Sequence, residues 1–187
     1  MRRYGASRGM TLSADQRWRV DYRWLVERSA PSVSKLTQDI VKLAKDKGYQ
    51  SSRQFYGLLA SFVQHLKYEE IESSRSVVGG DDVLTAGVLP PLQGFVEKRG
   101  DCDSFGAMYG ALMANVKGAE VVLLMAGAPI QHAFVGVLGV GKKGDRVARL
   151  GNKTYVLVDL TSSFPFGTIP NKEWQRLQKY QVISLVP

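Results

Sequence analysis

The chain is poor in the residues that make cross-links and metal cages. It has one cysteine, Cys102, and two histidines, His65 and His132, in 187 residues. A lone thiol cannot form an internal disulfide, and one cysteine with two histidines is too few for a cysteine-rich zinc site. Asp81, Asp82, Asp101 and Asp103 could at most hold a weak calcium ion, so neither a metal nor a cofactor is expected. Long apolar runs are missing too. The longest, Ala119 to Ile130, is broken by glycine and proline and falls short of the roughly 20 residues that cross a bilayer. There are no internal repeats. No basic run is interleaved with stacking aromatics, which argues against specific nucleic-acid binding.

What is present suits one globular domain: 44% hydrophobic residues, 10% aromatics and enough length for a single core. Residues 1–16 read as a flexible basic lead-in and 17–187 as the domain. The net charge of +8 is uneven, with Arg2, Arg3, Arg8, Arg17, Arg19, Arg23 and Arg28 set against Asp15, Asp21 and Glu27. Such an end can touch an anionic surface, although a solvated basic face is the simpler reading. The first residues are basic but no apolar segment follows them, unlike a signal peptide. As written, the chain reads as cytoplasmic. A periplasmic or secreted location applies if a signal or anchor has been trimmed.

Trp18, Val20, Tyr22 and Trp24 alternate with charged residues, a period of two that predicts a strand. A helix would instead use Trp18, Tyr22, Leu25 and Val26 as one face. After Pro31 the set Val33, Leu36, Ile40 and Leu43 predicts a helix ended by Gly48. A second helix should start near Ser51 or Ser52 and bury Phe55, Leu59, Phe62 and Val63. From Glu69 to Gly100 the pattern dissolves into turn residues, including Gly79-Gly80 and Pro90-Pro91. A connection this long is expected to fold over a site as a lid, with a passive connector as the alternative.

The segment after Cys102 predicts a helix with Phe105, Tyr109, Leu112 and Met113 on its apolar face. Gly106 and Gly110 imply close approach to other backbone. Strands are expected at Val121 to Met125, His132 to Val140, Thr154 to Leu160 and near Gln181 to Val186. A short helix around Glu173, Trp174 and Leu177 should precede the last. Gly139-Val140-Gly141-Lys142-Lys143-Gly144 mimics a dinucleotide fingerprint but leads toward a strand, so it reads as a hairpin loop.

Cys102 sits in Arg99-Gly100-Asp101-Cys102-Asp103-Ser104, where a polar turn enters a helix. With Asp101 as N-cap, the sulfur lies in the first turn, whose free N–H groups and dipole favour a thiolate. Asp101 and Asp103 oppose that by repulsion, and His132 is the cation to offset them. Antiparallel pairing of the His132 and Asp159 strands makes these two residues cross-strand neighbours. The carboxylate should then accept the Nδ1 proton and aim Nε2 at the sulfur. His65, at the end of an apolar helix, is expected to cap it.

Several segments carry a resemblance to a known family: Ser61-Phe62-Val63-Gln64 with Tyr68, Pro90-Pro91, Gly100-Asp101-Cys102-Asp103-Ser104, His132-Ala133-Phe134-Val135 and Tyr155-Val156-Leu157-Val158-Asp159-Leu160-Thr161. From about Trp18 to Gly167 the chain resembles the transglutaminase-like superfamily, in particular its bacterial cysteine-proteinase branch. The resemblance implies an α+β, papain-like core in which a nucleophile helix packs on an antiparallel sheet, with Cys102, His132 and Asp159 at the triad positions. It also implies an oxyanion donor upstream, for which Gln64 is the candidate and Gln93 the fallback. The expected function is thiol-dependent hydrolysis of a protein or peptide amide through a thioester. The alternatives are glutamine transamidation by the same triad, and a non-catalytic domain that binds peptide or an anionic surface.

Overall fold

Asp21 is where the period-two pattern gives way. Its carboxylate accepts the Trp24 N–H at 2.9 Å and caps a 25-residue helix, α1 (Tyr22–Asp46). The computed structural model describes residues 9–12, 18–75, 83–84, 86–127, 131–171, 174 and 180–187. The strand expected over Trp18 to Trp24 is therefore confined to β2 (Trp18–Val20), which pairs antiparallel with β1 (Met10–Leu12). That pairing also places a strand inside the expected flexible lead-in, of which only residues 9–12 are described.

Burial explains the correction. Tyr22, Leu25, Val26, Ala30 and Val33 form one buried stripe that crosses Pro31 without a break. A proline inside a helix costs about 3 kcal/mol, whereas burying each large aliphatic side chain contributes roughly 1.5–3 kcal/mol. With Leu25, Val26, Val33 and Ile40 all buried, packing wins. Gly48, with φ of +78°, follows the C-cap Lys47, as the sequence led one to expect. Next, α2 (Ser52–Gln64) opens on a reciprocal cap in which Ser51 and Gln54 each bond the other's backbone N–H.

The stretch from Glu69 to Gly100 holds more regular structure than its composition suggested. Just ahead of it, β3 (Lys67–Tyr68) runs parallel to β6 (Arg99–Gly100), with Tyr68 opposite Gly100. Between them lie β4 (Ser74–Arg75), β5 (Val83–Leu84) and a short helix, α3 (Pro91–Glu97). Pro91 opens that helix, where a missing N–H costs nothing. Gly79 and Gly80, on which the lid expectation rested, lie outside the described residues.

Helix α4 (Cys102–Met113) packs on a five-stranded antiparallel sheet. Its strands are β7 (Val121–Ala126), β8 (His132–Leu138), β9 (Val147–Leu150), β10 (Lys153–Val158) and β11 (Tyr180–Val186), in the order β11-β7-β8-β10-β9. Gly139 to Gly144 forms the loop that precedes β9, a strand absent from those expected above. Asn171 and Trp174 are helical, whereas Glu173 and Leu177 of the expected short helix are outside the described residues.

One sheet face, with Leu123, Val135, Val137 and Val158, meets Phe105, Met108 and Leu112 of α4. The other buries Val122, Leu124, Phe134, Tyr155 and Leu157 against Ile169. A Cβ on Gly106 would come within 2.4 Å of Leu123 Cδ1, and one on Gly110 within 2.9 Å of Val26 Cγ2. These two glycines let the helix sit tightly between sheet and α1. The architecture is α+β.

Candidate active site

β8 begins at His132 and β10 ends one residue before Asp159. Because the two strands are antiparallel, both residues lie at the same end of the sheet. The first residue of α4, Cys102, reaches that end, near enough to the His132 ring to help raise its pKa. The cysteine, histidine and aspartate singled out in the sequence are thus brought together.

Their mutual geometry differs from expectation in one respect. The His132–Asp159 contact runs through Nε2, which lies 3.2 Å from Asp159 Oδ1, and not through Nδ1. The ladder register supplies the reason. Val158 pairs with Val135, so its continuation sets Asp159 opposite Phe134 and makes His132 a diagonal neighbour. Diagonal residues are about 7–8 Å apart at their backbones, a span that suits the distal ring nitrogen. The ring is steadied edge-on against Phe134, with centroids 4.6 Å apart.

Asp159 is 5% exposed, and burial alone would raise its pKa. The His132 hydrogen bond, the Thr161 N–H, the His132 charge and the Thr161 hydroxyl outweigh burial and hold it below the usual value. Thr161 gives two bonds to the same Oδ1, from its backbone N at 2.9 Å and its Oγ1 at 2.8 Å. Sequence reasoning assigned Thr161 no role, although an aspartate bonding two residues onward is a recognisable local pattern. At His132 burial disfavours the charged ring, yet the hydrogen bonds and charges of Asp159 and Cys102 push its pKa up to about 10.

At the start of α4 the electrostatics run the other way. Asp101 caps the helix by accepting the Ser104 N–H at 3.2 Å. Asp103 accepts the same N–H at 3.0 Å and receives the Tyr22 hydroxyl. Burial, then a hydrogen bond with Asp101 and the charge of that residue, raise Asp103 to about 7 despite the Tyr22 and Ser104 donors. The buried Ser104 Oγ accepts the Leu89 N–H at 2.9 Å, fastening the segment before α3 to the first turn of α4. Half-exposed Tyr68 sets its ring edge on Phe105, 6.4 Å away, beside the same turn.

The glutamines are placed as follows. Gln64 Nε2 donates to the backbone oxygens of Asp159 at 2.8 Å and Phe164 at 3.0 Å. Gln93 bonds Glu97 on an exposed face of α3 at 2.7 Å. His65 is the C-cap of α2, its Nδ1 2.6 Å from Ser61 O, so it caps that helix as expected. Asp81 and Asp82 lie outside the described residues. No helix among those residues is long and apolar enough to cross a membrane.

No family model and no curated protein matches the chain. Among solved structures, it is similar to Legionella pneumophila LapG (EGTA-treated), at 12% identity and a TM-score of 0.43, over 82% of this chain and 78% of that one. At that distance the likeness carries no weight beside the geometry.

Proposed function

We propose that the protein is a thiol-dependent amide hydrolase, a cysteine peptidase or amidase with a papain-like, transglutaminase-like site. The observation that supports this most is His132 lying between Cys102 and the low-pKa, threonine-clamped Asp159. A buried histidine or strand-end aspartate alone is commonly structural. Placing both beside the chain's only thiol is what nucleophilic acyl transfer requires.

In this reading the Cys102 thiolate attacks the carbonyl carbon of an amide, and the carbonyl π electrons move onto oxygen. The backbone N–H of Cys102, in the first turn of α4, is one donor for that oxyanion. Gln64 serves as the other only by giving up one of its carbonyl partners. When the tetrahedral adduct collapses, the C–N bond breaks and imidazolium His132 gives its Nδ1 proton to the departing amine. Neutral His132 then takes a proton from water, the hydroxide adds to the thioester, and the C–S bond breaks to release acid and restore the Cys102 thiolate beside imidazolium His132. Asp159 holds the ring and stabilises its charged form throughout.

Labelling native protein with a thiol-directed acyl probe, then profiling a peptide library, tests the proposal. Labelling and cleavage confined to protein with Cys102 intact are expected, both vanishing in Cys102→Ala. Full cleavage by the alanine variant would remove the hydrolase reading, and incorporation of a primary amine in place of hydrolysis would redirect it to transamidation.

A further inference from the structure

Arg53, Gly57 and Gln64 share one face of α2, being four and eleven residues apart at 100° per residue. That face runs along the chain segment that follows β10. At its N-terminal end Arg53 donates to Phe166 O at 2.8 Å and Val140 O at 2.9 Å, and forks onto Asp145 at 2.6 and 2.9 Å. Its guanidinium also lies 5.2 Å from the Phe166 ring centroid. Midway, a Cβ on Gly57 would stand only 3.7 Å from Phe166 Cβ, so the helix surface lies close against the segment. At the C-terminal end Gln64 holds Asp159 O and Phe164 O.

An amide nitrogen has two hydrogens, and these two carbonyls account for both. Thr161 fixes the Asp159 carboxylate relative to its own backbone. Gln64 fixes that backbone relative to a core helix. Without the second link, the first would hold the carboxylate to a segment free to shift.

We propose that Gln64 is a positioning residue for Asp159: its amide anchors the Asp159 carbonyl and thereby keeps the carboxylate aimed at His132. This rests on the triad reading above and assigns Gln64 a different task from stabilising the oxyanion. The two tasks have separate signatures. An oxyanion donor matters only once a carbonyl is attacked. An anchor for Asp159 matters to the resting imidazole, whose Nε2 lies 3.2 Å from Asp159 and whose charge Asp159 and Cys102 favour.

The test is alkylation of the resting enzyme by iodoacetate across pH 4 to 11, in wild-type protein and in Gln64→Met. The reagent forms no tetrahedral oxyanion, and its carboxylate is drawn to the His132 imidazolium, so the upper limb of the rate profile reports loss of the histidine charge. The anchor predicts that this limb moves down by about one pH unit in Gln64→Met, with the thermal midpoint nearly unchanged. An unmoved limb alongside impaired amide turnover would overturn the anchor in favour of the oxyanion role. If Gln64→Met does not fold, Gln64→Asn, which keeps the amide but is one methylene short, takes its place with the same expected shift. A wild-type profile with no upper limb would sink the triad reading, and the anchor with it.

Discussion

Two acids flank the candidate nucleophile, Asp159 buried and Asp103 half-buried, and they have opposite fates. Asp159, at the end of the sheet, is ringed by donors: an imidazole, a backbone N–H and a hydroxyl. Asp103, in the first turn of α4, has the Tyr22 hydroxyl and the Ser104 N–H but also faces the carboxylate of Asp101. Burial pushes both upward. Neighbours decide the outcome, holding Asp159 below the usual value and leaving Asp103 near 7. The repulsion expected between Asp103 and a Cys102 thiolate is therefore softened, because burial and the neighbouring Asp101 carboxylate raise Asp103 to about 7. Asp159, held below the usual value, carries its charge at the sheet end, where it supports the histidine.

The largest effects should follow from dismantling the sheet end. His132→Ala is expected to lower kcat by about 10³-fold or more, and Asp159→Asn by somewhat less, because the base survives with poorer aim. Groups that act as a unit are not additive, so the double variant should be little worse than His132→Ala alone. Losses that multiply would show that the two residues work separately. Thr161→Val removes one of the two Thr161 bonds to Asp159 Oδ1 and keeps the backbone N–H. A hydrogen bond to a charged group contributes about 1.5–3 kcal/mol, so a roughly tenfold fall in kcat with KM unchanged is expected. An unchanged kcat would mean that the backbone N–H suffices.

The helix-start acid should show its effect in stability. Asp103 is raised from 3.8 to about 7, so the folded chain holds its proton more tightly than the unfolded chain does. Its contribution is therefore fully present below pH 4 and declines as pH rises toward 7. Asp103→Asn should flatten that part of the stability curve in urea titrations at pH 4, 5.5 and 7, with turnover altered by no more than about twofold. A slope as steep as wild type would separate this residue from the pH dependence.

Where local chemistry and burial agreed, the sequence was legible. Ser51 with Gln54, Gly48, and the slim face of α4 at Gly106 and Gly110 all behave as their residue types demand. Around Asp21 they conflicted. Arginines alternate with aromatics on both sides of it, and only the Asp21–Trp24 cap and the buried stripe through Pro31 reveal the helix. The pairing of β8 with β10 could be read from sequence. The two-residue offset that selects Nε2 could not, because register depends on which hydrophobic residues face the core and on the β9 strand hidden in the intervening segment. Gln64 was legible as a polar residue near the site, but its partners are the backbone oxygens of Asp159 and Phe164, and no pattern of side chains announces a carbonyl.

The most direct test of the account is the charge of one imidazole. With only His65 and His132 in the chain, ¹⁵N-edited spectra of the protein and of His65→Gln assign both rings. The account predicts that His132 stays cationic up to about pH 10 and titrates at lower pH in Asp159→Asn. A His132 that titrates near its ordinary 6.5 and ignores Asp159→Asn would contradict it.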